Sequence, residues 1–168
     1  MSVSLYDVSI PPMIRMLENL SKILDKAVKQ ADAEKIPLST LLEVRLAPDM
    51  HPLPRQIQIA SDAAKGGAAR LAGIDPPGFP DTETTFPELQ ARIAKTIDFL
   101  KSVKPDQLAG AEDRTIVLKF PQGEMKFSGR DFLNGVALPN FYFHVTTAYG
   151  LLRHKGIQIG KRDYLGGA

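Results

Sequence analysis

The sequence predicts an all-α fold, a four-helix bundle with a small β-hairpin before the last helix. Four long segments carry apolar residues at three- and four-residue steps. Gly, Pro, Asp and Thr gather between them, and one short β-branched run breaks the helical pattern. With 168 residues, 43% hydrophobic and 24% charged, the chain can bury a substantial core. Residues 1–168 are expected to form a single domain.

The first helix is expected from about Ser9 to Glu34, with Ile10, Met13, Leu17, Leu20, Leu24, Ala27, Val28 and Ala31 on its inner stripe. Pro11 and Pro12 suit its first turn, where a missing N–H costs little. Lys22, Lys26 and Lys29 take the wet side. A short turn of helix follows Pro37, with Ser39 as its cap.

Arg45-Leu46-Ala47-Pro48-Asp49-Met50-His51-Pro52-Leu53-Pro54 is a rigid, proline-rich connection. The second long helix starts at its end, between Pro52 and Arg55, and runs to Ala72. Its inner face is rich in alanine, so a neighbouring helix can come close. Gly66-Gly67 weakens it by roughly 1 kcal/mol per glycine relative to alanine, which implies either close packing or a bend.

Gly73 to Pro87 reads as a loop. Thr84 or Thr85 can cap the third helix, and with Thr85 as the cap Glu88 completes a capping box; the stripe is Leu89, Ile93, Ile97 and Leu100. Pro105 ends it. Thr115 to Lys119 and Met125 to Phe127 make the hairpin around a Phe120–Glu124 turn. Ser128 caps the last helical region, which Pro139 must kink or split and Gly156 ends. The apolar tail from Ile157 to Leu165 is expected to fold back over the bundle or to join a partner.

Composition excludes several chemistries. Without cysteine there is no disulfide, thiolate nucleophile or Cys-ligated metal within the chain. A net charge of +2, with basic residues spread out, gives no nucleic-acid footprint. There is no apolar run of membrane-spanning length and no leader-like start, so a cytoplasmic protein that touches neither membrane nor nucleic acid is expected. No phosphate-binding glycine loop, dinucleotide fingerprint or His-Glu-x-x-His motif is present.

What remains is a polar pair on the last helix. Asn140 and His144 are one turn apart and share a face. They can be satisfied internally, or can orient a ligand. His51 with Asp49 is a second candidate, since a carboxylate can fix an imidazole tautomer. If His51 and His144 converge, they and Asp49 would make a divalent-metal set or an acid–base pair, with Tyr6, Tyr142, Tyr149 and Asp62 as supporting hydrogen-bond partners. His154, between Arg153 and Lys155 at a helix end, reads as a capping or solvated residue.

Several stretches carry a family resemblance along essentially the whole chain. They are residues 45–53, Gln56 with Asp62, residues 69–73, Phe141-Tyr142-Phe143-His144-Val145-Thr146-Thr147-Ala148-Tyr149-Gly150-Leu151-Leu152-Arg153, and Gly160-Lys161-Arg162-Asp163-Tyr164-Leu165-Gly166. The chain resembles the uncharacterised branch of the DinB-like (DinB/YfiT-like) helical-bundle superfamily. The resemblance implies a four-helix bundle of that type, often a homodimer. It also implies a divalent metal such as zinc or nickel held by three histidines, one from the second helix and two from a His-x-x-x-His pair on the last. Some such relatives are transferases or isomerases that use a low-molecular-weight thiol. Here His144 matches the second histidine of the pair, Asn140 stands where the first would be, and His51 falls several residues early, in a turn.

The expectation is therefore a protein without a resident cofactor, carrying a small-molecule pocket lined by Asn140 and His144, with Asp49, Tyr142 and Tyr149 as further ligand contacts. The alternatives are a metal-dependent transferase or isomerase using His51 and His144, and a structural or interaction protein acting as a homodimer.

Overall fold

The computed structural model describes residues 4–167; Met1 to Val3, part of the stretch read as having no leader, lie outside them. The four long helices are α1 (Leu5–Glu34), α3 (Leu53–Ala72), α4 (Phe86–Ser102) and α6 (Leu138–His154). Short helices α2 (Leu38–Leu42), α5 (Gly129–Phe132) and α7 (Lys161–Leu165) complete the set. β1 (Thr115–Phe120) and β2 (Gly123–Ser128) form an antiparallel hairpin in which Thr115 faces Ser128 and Phe120 faces Gly123. In the bundle α1 packs on α4 and α6, and α3 packs on the same two. No helix among the described residues is long and apolar enough to cross a membrane.

The expected stripes are the ones that pack. Ile10, Met13, Leu17, Leu20, Leu24, Ile57, Leu71, Leu89 and Leu100 are all sealed from solvent. Each such side chain contributes about 1.5–3 kcal/mol relative to leaving it exposed.

α1 begins four residues earlier than the sequence reading placed it. Ser4 Oγ accepts from the Asp7 N–H at 3.2 Å, and Asp7 Oδ2 accepts from the Ser4 N–H at 3.3 Å. This is a capping box built with aspartate, one carbon shorter than the usual glutamate. Pro11 and Pro12 are therefore inside the helix, not in its first turn. They take the N–H partners from the carbonyls of Asp7 and Val8, both on exposed residues, where water can serve instead.

The α3–α6 pair is the most intimate contact in the bundle. Gly67 lets α3 come close to the turn that leads into α6: a Cβ there would stand 3.2 Å from Ala137 Cβ. Close packing rather than a bend is the reason for that glycine, since α3 runs unbroken through it. The hairpin is held at its base by Gly129, where an added Cβ would fall 1.8 Å from the Ala111 carbonyl oxygen. Ser128 caps α5 by accepting from the Asp131 N–H at 3.1 Å. A π turn, Leu133–Ala137, joins α5 to α6 and places Pro139 in the first turn of α6. The helical run is thus split ahead of the proline, and the wider turn absorbs the lost hydrogen bond.

The tail folds back. Ile157 and Ile159 are buried, and α7 lies on α1 with Asn19 Nδ2 donating to the Tyr164 carbonyl at 3.0 Å. Lys26, read as a wet lysine, forms an ion pair with Asp163.

Candidate functional site

His144 is only 9% exposed, facing α3 from the middle of α6. Its Nδ1 lies 2.6 Å from Gln56 Oε1. Gln56 Nε2 in turn donates to the His51 carbonyl at 3.0 Å. A carbonyl can only accept, so the amide must turn its nitrogen toward His51 and its oxygen toward His144. The hydrogen between Gln56 and His144 therefore belongs to Nδ1. Burial lowers the His144 pKa below its ordinary 6.5, and the charges of His51 and Arg55 lower it further. At neutral pH the ring is uncharged, carries its proton on Nδ1, and offers the Nε2 lone pair. Nε2 makes no hydrogen bond to the described residues, and it is not among the sealed orphan atoms. It is the one ring nitrogen left for a ligand.

His51 lies in the turn before α3, with its residue exposed. It meets His144 through its backbone and its field rather than through a bond between rings. Asp49 is exposed in the same turn and makes no hydrogen bond to His51 among the described residues. The turn is pinned instead by Arg45, which donates to the Met50 carbonyl.

Asn140 shares the His144 face of α6, but its side chain is exposed. It borders a groove of about 200 Å³ between α3 and α6 together with Asp62, Ala63, Gly67, Arg70 and Val136. Tyr142 and Tyr149 are elsewhere. Two residues on a helix turn the side chain through about 200°, so Tyr142 faces away from His144. Burial raises its hydroxyl pKa and Tyr164 adds to this, with Arg15 working against both. Tyr149 packs edge-on against Tyr164 at 5.9 Å, on the face covered by α7. Tyr6 is half-buried near the start of α1. The structure thus links His51, Gln56 and His144, places Asn140 one turn away, and separates both tyrosines from them.

Asp62 is bound to a second centre that sequence reasoning missed. Arg92, 3% exposed on α4, donates to Asp62 at 2.9 Å and forms ion pairs with Asp81 and Glu83, each at 3.0 Å. Lys65 pairs with Asp62 at 3.1 Å, and Arg55 pairs with Asp81. Burial pushes the Glu83 carboxyl pKa up, but hydrogen bonds from Arg92, its own backbone N–H and Gln58 together hold it below the ordinary value. Phe79 lies over Lys95 at 4.2 Å and Lys65 at 5.0 Å, so the loop between α3 and α4 is tied down by cations on both sides. The signal for Arg92 and Gln56 was present. Each polar residue occupies an inward step of an apolar stripe: Leu53, Gln56, Ile57, Ala60 in one, and Leu89, Arg92, Ile93, Thr96 in the other.

A family model described as "Domain of unknown function (DUF1993)" matches residues 5–165. The chain belongs to the DUF1993 family. Its fold is that of a DinB family member protein from Shewanella denitrificans, known from a crystal structure, with 44% identity and a TM-score of 0.90. The similarity covers 98% of this chain and 93% of that one. The DinB-like fold and its uncharacterised branch, read from the sequence, are both shown by these matches. No curated protein matches the chain.

The three-histidine metal set implied by the wider resemblance does not fit this DUF1993 chain. Among the described residues no three His, Cys, Asp or Glu side chains are grouped to hold a metal ion. Position 140 supplies a neutral, exposed amide, and His144 has one nitrogen already committed to Gln56.

Proposed function

We propose that the chain, residues 1–168, acts as one domain that binds a small molecule along the α3–α6 seam. Asn140 and His144 are its polar contacts. The observation that carries this reading is His144 itself: a buried, uncharged imidazole whose tautomer Gln56 fixes, with Nε2 left free. Such a nitrogen accepts one hydrogen bond from a ligand donor. Asn140, one turn away and free of hydrogen bonds to the described chain, can both donate and accept. The groove that Asn140 borders, which His144 does not line, is about 200 Å³, below the ~300–1,000 Å³ of sites for drug-sized ligands, so it suits a small metabolite.

Nuclear magnetic resonance tests this directly. Long-range ¹H–¹⁵N spectra should show His144 with the proton on Nδ1. A set of small hydrogen-bond donors should then shift both the His144 ring and the Asn140 side-chain amide, and Asn140→Ala should weaken the response. No shift at either residue with any compound would refute the reading.

A homodimer has one supporting observation on this face. Phe143 is 57% exposed, edge-on to the His144 ring at 5.0 Å. A second copy covering Phe143 would border the same site. Sedimentation of Phe143→Ser against wild type tests it: unchanged mass in both would remove this face as a dimer contact.

A further inference from the structure

The groove beside Asn140 has a charge at each end and an apolar floor. At one end, Asp62 gives one oxygen, Oδ1, to both Lys65 and Arg92. Its Oδ2 has no partner among the described residues, and the side chain is 40% exposed. Lys65 and Arg92 already offset part of its charge, and Arg92 is shared with Asp81 and Glu83, so what Asp62 offers the groove is the unbonded Oδ2. At the other end is Arg70. Its Nη1 donates to the Gly66 carbonyl at 2.9 Å, so the side chain lies back along α3 instead of reaching into solvent. Gly66 is what lets it lie there: a Cβ at that position would stand 2.6 Å from Nη1. One bond to a carbonyl leaves most of the guanidinium donors free for an anion. Between the charges the floor is Ala63, Gly67 and Val136, and Asn140 stands at the side.

We infer that this groove binds a free ω-ammonium carboxylate, a linear zwitterion with an apolar middle. The ammonium meets Asp62 Oδ2, the carboxylate meets Arg70, and the methylenes lie on Ala63 and Gly67. The inference names the ligand class for the Asn140 end of the site proposed above and rests on that reading; His144 does not line this groove. Spacing sets the length. Asp62 and Gly66 are one helical turn apart, about 6 Å along the axis, and the Arg70 guanidinium lies just beyond Gly66. The charges are then on the order of 8 Å apart, which an extended chain of about five methylenes spans. An α-amino acid, whose charges sit on one carbon, is too short to reach both.

The probe is 6-aminohexanoate, with hexanoate and hexylamine as single-charge controls, titrated into the full chain and followed by calorimetry and by the Asn140 and His144 resonances. The zwitterion should bind about fivefold more tightly than either control, the effect of one partly exposed ion pair. Arg70→Gln should remove about that factor and leave the Asp62–Arg92 pairing alone. Gly66→Ala, which displaces the guanidinium without touching a charge, should weaken binding in the same direction while the melting temperature holds or rises. Equal affinity for all three compounds, or full affinity in Arg70→Gln, overturns the inference. If the controls still shift Asn140 and His144 in that case, the seam remains a binding site of another class. If no compound shifts either residue, both readings fail together.

Discussion

Replacing Gln56 by leucine tests the central linkage by putting an apolar side chain where the amide stood. Wild-type Gln56 accepts from His144 Nδ1 at 2.6 Å and donates to the His51 carbonyl at 3.0 Å. In Gln56→Leu the His51 carbonyl can turn to water, because its residue is exposed. His144 Nδ1, at a residue 9% exposed, is left without a partner whichever ring nitrogen carries the proton. An unsatisfied buried donor or acceptor costs about 1–3 kcal/mol, and the exposed carbonyl adds little. The expected loss is therefore about 1–3 kcal/mol in urea unfolding at pH 7. For a chain of this length that is a fall of roughly 2–12 °C in melting temperature. The tautomer supplies an independent readout. Without the Gln56 oxygen, nothing holds the hydrogen on Nδ1, and the ¹⁵N spectrum should show it moving to Nε2. A stability change under about 0.5 kcal/mol with the Nδ1–H form intact would show that Gln56 does not set the state of His144.

Other perturbations have equally definite outcomes. The His144 pKa is lowered by folding, so the unfolded chain takes up a proton that the folded chain refuses; stability should fall as pH drops below 6.5 and level off below the folded pKa, with the slope absent in His144→Phe. Gly129→Ala forces a methyl against the Ala111 carbonyl oxygen and should cost about 2–4 kcal/mol, most plainly in amide exchange of the hairpin; a loss below about 1 kcal/mol would mean that the contact relaxes freely. Arg92→Met leaves Asp62, Asp81 and Glu83 without their shared cation and should destabilise by about 2–4 kcal/mol at pH 7, discounted for the exposure of the two aspartates. That deficit should shrink as pH falls below the ordinary glutamate value of 4.5, because the wild type then loses the stability that the lowered Glu83 pKa confers; an equal deficit in acid and at pH 7 would assign the loss to packing instead.

The helical stripes were legible because burial of one face imposes its period on the residues themselves. Thr85 with Glu88 was legible for the same reason: the cap is local, within four residues. Ser4 with Asp7 is equally local, yet the two prolines at 11 and 12 looked like a helix start and drew the boundary inward. The linkage from His51 through Gln56 to His144 was not legible. Gln56 and His144 are 88 residues apart, and only the docking of α3 on α6 brings them together. The same limit applies to Asn140. Its spacing from His144 was read correctly, but spacing gives direction around a helix and not depth. Whether a shared face is covered depends on the neighbour, and α3 covers His144 while leaving Asn140 at a groove edge. Arg92 was visible as a cation in an apolar row, but its three carboxylates come from two other segments.

The π turn at Leu133–Ala137 sets a phase. Its closing bond runs from the Leu138 N–H to the Leu133 carbonyl, five residues back, so the turn holds one residue more than an α-helical turn would. One residue on a helix is about 100° of rotation. Phe132 and Leu133 bury on one side of the turn, and Phe141 and His144 bury on the other. With one residue fewer, these two sets could not both face the core. Either the hairpin's anchor or the imidazole would be swung toward solvent. The segment works as a vernier: chain length there, more than side-chain identity, decides which atoms of the last helix are presented to its neighbour.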